Sequence, residues 1–218
     1  LQPLLSLLQI MQTKNGCRII YFSSGGALYG DVPGGNAEEK MPLRPKSYYG
    51  AGKAAAEHFI TAWSHQFNLL AVIFRPSNIY GPGQIIQEEF GIIPTAFDKL
   101  TKGQPITIWG DGKSIRDFLF IDDFISLFMK VLEKPIKTGT QVLNAASGVE
   151  TQLNHLLFMI EEVSGKKFEF IYKQGRPVDV RRILLDNTMA RLVYAWQPKY
   201  TLHEGLRHTW TWFKNLQR

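Results

Sequence analysis

Arg18-Ile19-Ile20-Tyr21-Phe22 runs directly into Ser23-Ser24-Gly25-Gly26. A β-branched and aromatic run that gives way to small, turn-forming residues reads as a buried strand ending in a loop. Downstream, Ser47 to Phe67 predicts one long helix. Ala54, Ala55, His58, Phe59, Ala62 and Trp63 form its apolar stripe, and no proline interrupts it. Leu69 to Phe74 predicts a second buried strand, stopped by Arg75-Pro76. Two apolar strands joined through a long helix make a βαβ unit, and therefore a parallel sheet.

Upstream, Leu4, Leu5, Leu8 and Met11 recur at helical spacing, with no basic leader or cleavage site before them. The chain opens on Leu1 inside this pattern, so the expectation is a chain that begins part-way through a helix. After Gly81-Pro82-Gly83 the elements shorten. Helices are predicted over Ile92–Leu100, from an Asp122 or Asp123 cap to Leu132, from a Thr151 cap to Val163, and from about Leu202. Strands are predicted over Ile106–Trp109, Phe118–Ile121, Gln141–Asn144 and Lys167–Tyr172.

No apolar run is long enough to cross a bilayer. A single cysteine, Cys17, rules out a disulfide framework, suits a reducing cytoplasm and reads as a small buried apolar residue. The formal charge of +6 is spread along the chain without a basic block, which fits a phosphate-bearing small ligand as well as nucleic acid. The five histidines lack metal-ligand spacing, and no metal is expected.

Tyr49-Gly50-Ala51-Gly52-Lys53 carries the chemistry. At i and i+4 near a helix start, a phenol and an ammonium share one face. A phenol ionises near pH ~10 and is a poor base at neutrality. A neighbouring cation stabilises the phenolate and makes proton abstraction from a hydroxyl feasible. By itself the pattern is common and also describes a surface Tyr with a solvated Lys. Ser23-Ser24 adds context, because the ligand crevice of an open parallel sheet lies at the carboxyl ends of its strands.

These segments, taken in order, resemble the extended short-chain dehydrogenase/reductase family. The resemblance is carried by Ser23-Ser24 with Tyr29-Gly30, by Pro45-x-Ser47-x-Tyr49-Gly50-x-x-Lys53, and by Arg75-Pro76-Ser77-Asn78-Ile79-Tyr80-Gly81-Pro82. It continues through Gly110-Asp111-Gly112-x-x-x-Arg116-Asp117-Phe118 with Asp122-Asp123, then Arg176-Pro177-x-Asp179-Val180 and Trp196-Gln197-Pro198. Within the family the chain is similar to nucleotide-sugar epimerases of the UDP-glucose 4-epimerase type.

The resemblance implies an α/β fold, with the C-terminal part of a Rossmann parallel sheet in residues 1–82 and a probable return segment at 122–146. Residues 83–218 would form a smaller α+β domain for the nucleotide sugar. It implies NAD as cofactor and a UDP-sugar or related nucleotide sugar as ligand. No nucleic-acid or membrane partner is implied, and a homodimer in the cytoplasm is. Tyr49 matches the catalytic base and Lys53 its partner, which also holds the nicotinamide ribose. Many epimerases carry a catalytic Ser or Thr where this chain has Gly25, so Ser24 is assigned that role. Ser23 and Pro76 fall on the cofactor side. Asn78, Ile108, Trp109, Arg116, Arg176, Asp179 and Ile183 fall on the substrate side, with the two arginines matching those that grip the diphosphate.

The expected activity is epimerisation through a transient 4-keto sugar. A 4,6-dehydratase is the nearest alternative, but its Asp-Glu pair is replaced here by Gly25-Gly26. A non-catalytic nucleotide-sugar-binding fragment is the other. The family's Gly-x-x-Gly-x-x-Gly loop does not precede Arg18. The resemblance therefore implies further βα units upstream, and a fragment inactive by itself.

Overall fold

The strand Leu70–Pro76 explains the architecture. Ala71, Val72, Ile73 and Phe74 are all fully buried, although a strand turns successive side chains to opposite faces. Both faces of its sheet must therefore be covered, which is why the segment is continuously apolar rather than alternating. The computed structural model describes residues 1–14, 17–32, 34–86, 91–176 and 179–216.

In chain order the first elements are α1 (Gln2–Met11), β1 (Arg18–Phe22), α2 (Gly25–Leu28), α3 (Tyr48–Phe67), β2 (Leu70–Pro76) and β3 (Asn78–Tyr80). Then come α4 (Ile92–Lys102), β4 (Ile106–Trp109), β5 (Ile115–Arg116), β6 (Phe118–Phe120), α5 (Ile121–Glu133) and β7 (Thr140–Ala145). The chain continues with β8 (Thr151–Gln152), α6 (Leu153–Ser164), β9 (Phe170–Lys173), α7 (Thr188–Tyr194) and α8 (Leu202–Leu216).

The main sheet has the order β1-β2-β7, parallel throughout, with Ile19 opposite Ala71 and Phe74 opposite Leu143. Ala71 and Ile73 pack with Leu8 of α1 and with Ile60 and Trp63 of α3. Val72 and Phe74 face the other way, onto Phe124, Leu127 and Val131 of α5 and Tyr194 of α7. Burying each large apolar side chain contributes about 1.5–3 kcal/mol.

Helix α3 begins where Ser47 accepts a hydrogen bond from the Gly50 amide at 3.1 Å, and it ends at Asn68, left-handed at φ 50°. The later elements build a second core, in which Phe97 of α4 stacks on Trp210 of α8 with ring centroids 5.2 Å apart. Strand β3 pairs with β6 and β4 with β9, both in parallel, while β5 and β8 are antiparallel.

Several expectations need correcting. Arg75-Pro76 does not stop β2 but completes it, with Arg75 opposite Asn144 and Pro76 opposite Ala145; Arg75 is tolerated inside because it is ion-paired. Neither Asp122 nor Asp123 caps α5, whose N-cap is Phe120. Instead the Asp123 carboxylate is buried and accepts the Lys199 and Tyr200 amides at 2.8 and 3.1 Å. Thr151 pairs with Arg116 in β8, and α6 starts two residues later. The strand expected over Lys167–Tyr172 is Phe170–Lys173. Cys17 is a free thiol, half-buried rather than enclosed. Among the described residues no helix is long and apolar enough to cross a membrane, and no cluster of three or more His, Cys, Asp or Glu could hold a metal.

Candidate active site

A cleft of about 680 Å³ opens at the carboxyl ends of β1 and β2. This is where a parallel sheet leaves its crevice. Ser23 and Ser24 come from the end of β1, Pro76 from the end of β2 and Tyr49 from the first turn of α3; Asn78 and Arg116 supply the far wall. Gly81 also lines it, at φ 148°, and a Cβ there would run into Ile121 of α5, so only glycine lets the loop fold over this edge.

Tyr49 is 57% exposed and stands between this cleft and a smaller hollow of about 330 Å³ that Lys53 also lines. The Lys53 ammonium lies 5.8 Å from the Tyr49 ring centre and 4.9 Å from that of Tyr21, and it donates to the Phe22 carbonyl oxygen at 2.7 Å. Phenol and ammonium thus sit on the same side of α3, as the i, i+4 spacing requires. Partial burial pushes the Lys53 ammonium below its ordinary pKa, while the negative charge of Glu57 opposes that shift.

Ser23 is buried, and its hydroxyl has no hydrogen-bond partner among the described residues. Ser24 is the N-cap of the short α2, but its side chain makes no capping bond. Two hydroxyls therefore border the cleft with hydrogen-bonding capacity to spare. A side chain at position 25 would need its neighbours to shift: a Cβ on Gly25 would collide with a terminal methyl of Leu185 and stand 3.0 Å from the Arg75 carbonyl oxygen.

On the far wall, the Asn78 amide and side-chain nitrogen donate to the Asp117 carbonyl oxygen at 3.1 and 2.8 Å. The Asp117 carboxylate is itself buried, accepting from Ser147 and Gly148 amides at 2.9 and 2.8 Å. Burial pushes its pKa up against those bonds. Arg116 next to it makes no ion pair among the described residues. Burial lowers its pKa, and Asp179 and Asp31 partly restore it. A half-buried guanidinium with unspent charge facing a cleft is suited to an anion.

The remaining residues read from the sequence lie elsewhere. Trp109, Arg176 and Asp179 gather beside β4 and β9: the guanidinium of Arg176 is 5.0 Å from the Trp109 ring centre and pairs with Asp179 at 3.1 Å. Ile108 is buried in the second core, and Ile183 is buried with Leu28, Tyr29 and Ala37. Pro177 lies outside the described residues. Sequence reasoning gave no role to Asp117, although it stands inside a quoted motif. It also read the buried Arg75 only as a strand stop and gave it no part in the site.

The sequence profile described as the NAD dependent epimerase/dehydratase family matches residues 2–146. The chain belongs to that family. It is 35% identical over 198 residues to a UDP-glucose 4-epimerase of Mycolicibacterium smegmatis, covering 91% of this chain and 63% of that relative. It superposes on the UDP-glucose 4-epimerase of Thermotoga maritima solved with UDP-glucose, at TM-score 0.91 and 29% identity, covering 99% of this chain and 69% of the other. On the Thermus thermophilus UDP-glucose 4-epimerase solved with NAD, the TM-score is 0.90 and identity 31%, covering 98% and 69%. A dTDP-glucose 4,6-dehydratase of Xanthomonas campestris also matches this family member, at 29% identity over 84% of the chain and 54% of the relative. The chain thus spans roughly two thirds of the length of the epimerases it matches.

Proposed function

We propose that this chain is the catalytic and nucleotide-sugar-binding portion of an NAD-dependent epimerase. Its substrate would be a UDP-sugar or a related nucleotide sugar, inverted at C4 through a transient 4-keto intermediate. The observation that carries the reading is Tyr49 at the junction of the two hollows, with the Lys53 ammonium 5.8 Å from the centre of its ring.

The residues fit the nicotinamide end of the cofactor. The Ser23 hydroxyl, buried and without a hydrogen-bond partner among the described residues, lines the same cleft as Tyr49 and the apolar Pro76, and the partly desolvated Lys53 ammonium stands behind Tyr49. Bound NAD supplies a reversible hydride acceptor. Tyr49 takes the proton of the sugar 4-hydroxyl and later returns it, while Lys53 stabilises the phenolate that starts the cycle. Ser24 hydrogen-bonds the same oxygen, and Asn78 and Arg116 orient the sugar nucleotide, with Arg116 on the diphosphate. Arg176, Asp179, Trp109 and the backbone at Ile108 complete the nucleotide side in this assignment, and Ile183 falls beside the sugar ring.

The same reading takes residues 1–82 with 122–146 as part of the cofactor domain and 83–218 as the sugar-nucleotide domain. It takes the compartment as cytoplasm and the assembly as a homodimer. Epimerisation is favoured over 4,6-dehydration because Gly25-Gly26 provides no acidic pair beside Tyr49.

The test is direct. The complete gene product is incubated with UDP-glucose, and product is followed by chromatography. Interconversion with UDP-galactose is expected, and Tyr49→Phe should lower turnover by ~10²–10⁴-fold. Loss of water from the sugar would indicate the dehydratase instead. A Tyr49→Phe protein with unchanged turnover would remove this residue from the chemistry.

A further inference from the structure

We propose that Arg75 is a positioning residue, whose guanidinium sets where Tyr49 and Lys53 stand relative to Ser24 and Pro76. This rests on the epimerase reading above. Arg75 and Glu57 are 5% and 3% exposed, so the pair is sealed from water. Nε donates to both Glu57 carboxylate oxygens at 3.1 Å, and Nη2 donates to one of them at 2.6 Å. Nη1 donates to the Tyr29 hydroxyl at 2.7 Å and to the Glu39 carbonyl oxygen at 2.8 Å.

Each partner sits on a different element of the site. Glu57 lies on α3, one turn beyond Lys53 and two beyond Tyr49, on the same face. Tyr29 is the C-cap of α2, whose N-cap is Ser24. Arg75 itself precedes Pro76 in β2. One planar group therefore ties together the three elements that bring Tyr49, Ser24 and Pro76 to the cleft. Tyr29 extends the tie by donating to the Asn144 side chain at 2.9 Å, which in turn donates to the Ala37 and Asp186 carbonyls. Burial pushes the Tyr29 phenol up to about 12 despite Arg75, so it stays protonated and its donor direction is fixed.

The chemistry explains why an ion pair is kept here. A buried ion pair is about as stable as apolar residues of the same volume, so its yield in stability is small. A guanidinium fork, however, accepts its partners only in one plane and at fixed angles. Lys cannot reproduce this, because an ammonium is a point charge without the fork. The arrangement thus gives geometry rather than stability, and α3 cannot rotate about its axis without breaking the fork.

The test compares Arg75→Lys and the apolar double variant Glu57→Leu/Arg75→Met with the wild-type protein. Thermal midpoint, kcat and KM are measured, and the Lys53 resonance is followed by NMR after reductive 13C-methylation. Both variants should lose roughly tenfold to a hundredfold in kcat, as expected for a displacement of up to an ångström, with KM within about threefold. The double variant should keep a near wild-type thermal midpoint, and in Arg75→Lys, which keeps the Glu57 carboxylate that acts on Lys53, the Lys53 resonance should move. A double variant with wild-type kcat, or an Arg75→Lys variant with an unmoved Lys53 resonance, would overturn the proposal. If the double variant does not fold, Arg75→Lys decides by the same readouts. Should the wild-type protein turn over no UDP-sugar, the epimerase reading is what fails, and the Lys53 resonance still decides whether Arg75 sets the geometry.

Discussion

Gly50→Ala should separate catalytic geometry from stability. Gly50 follows Tyr49 in the first turn of α3 and is buried against α2. A Cβ there would stand 2.9 Å from the Pro45 Cβ and 3.2 Å from the Ala27 carbonyl carbon, and closer still to the Ala27 oxygen. Ordinary contact begins near 3.4 Å. Relief therefore takes at least half an ångström from Pro45 and more from Ala27, which is backbone and cannot swing away. Whichever side yields, Tyr49 and the Ser24-capped turn move apart, since Ala27 belongs to that turn. A misplacement of about an ångström costs roughly 10²-fold in rate, and half of that roughly tenfold. Overpacking costs about 1–3 kcal/mol, offset by up to ~1 kcal/mol of helix propensity. A domain of this size loses roughly 2–4 °C per kcal/mol. The assay is UDP-glucose turnover alongside thermal denaturation. The control is Gly52→Ala two residues on, where a new Cβ meets nothing within 4 Å among the described residues. It should stabilise by ~0.5–1 kcal/mol and leave turnover alone. Wild-type kcat in Gly50→Ala would refute the argument, as would equal losses in both variants.

Arg116→Ala should weaken binding of UDP by about 10- to 150-fold, the ~1.5–3 kcal/mol of a charge-assisted hydrogen bond, as read by calorimetry; unchanged affinity would remove Arg116 from the anion site. Asp31 gives a pH prediction. Burial raises its pKa, but the Lys46 ammonium and the Arg182 and Arg181 amides outweigh that and hold it below the ordinary value. A carboxyl lowered on folding stabilises the protein above its unfolded pKa of ~3.9, and that contribution is lost as pH falls through the lower folded value. Acid should therefore release the Arg181–Arg182 segment below about pH 4, seen as faster amide exchange there. In Asp31→Asn that acid dependence should vanish; an identical pH profile in the variant would show that another group is responsible.

Much of the fold was legible because burial leaves a one-dimensional trace. Strand β1, helix α3 and strand β2 appeared within a residue or two of their bounds, but burial was read less well: β1 buries only Ile19, and α3 buries Ala54, Ala56, Ile60 and Trp63 while His58, Phe59 and Ala62 of the expected stripe are exposed. Tyr49 and Lys53 were legible because i, i+4 on one face is a local property. The misreadings share a cause as well. Asp122 and Asp123 read as caps because a carboxylate before a helix usually binds that helix's own amides. Asp123 is claimed instead by the Lys199 and Tyr200 amides, 76 and 77 residues away. Arg75 read as the end of a strand because a cation in an apolar run is costly, and Glu57, Tyr29 and the Glu39 carbonyl, all on other elements, offset that cost.

The sequence by itself determined which segments become strands and helices, that the sheet is parallel, and which residues could carry acid–base chemistry. Those follow from periodicity and side-chain type, and both are local. The tertiary structure alone decided that Ser23, Tyr49, Pro76, Asn78 and Arg116 share one cleft, that Arg176 is paired with Asp179 beside Trp109, and that Leu185 fills the space next to Gly25. It alone joined Arg75 to Glu57. Charge pairing and steric exclusion act between groups that meet only after the chain has folded, so no spacing along the chain encodes them.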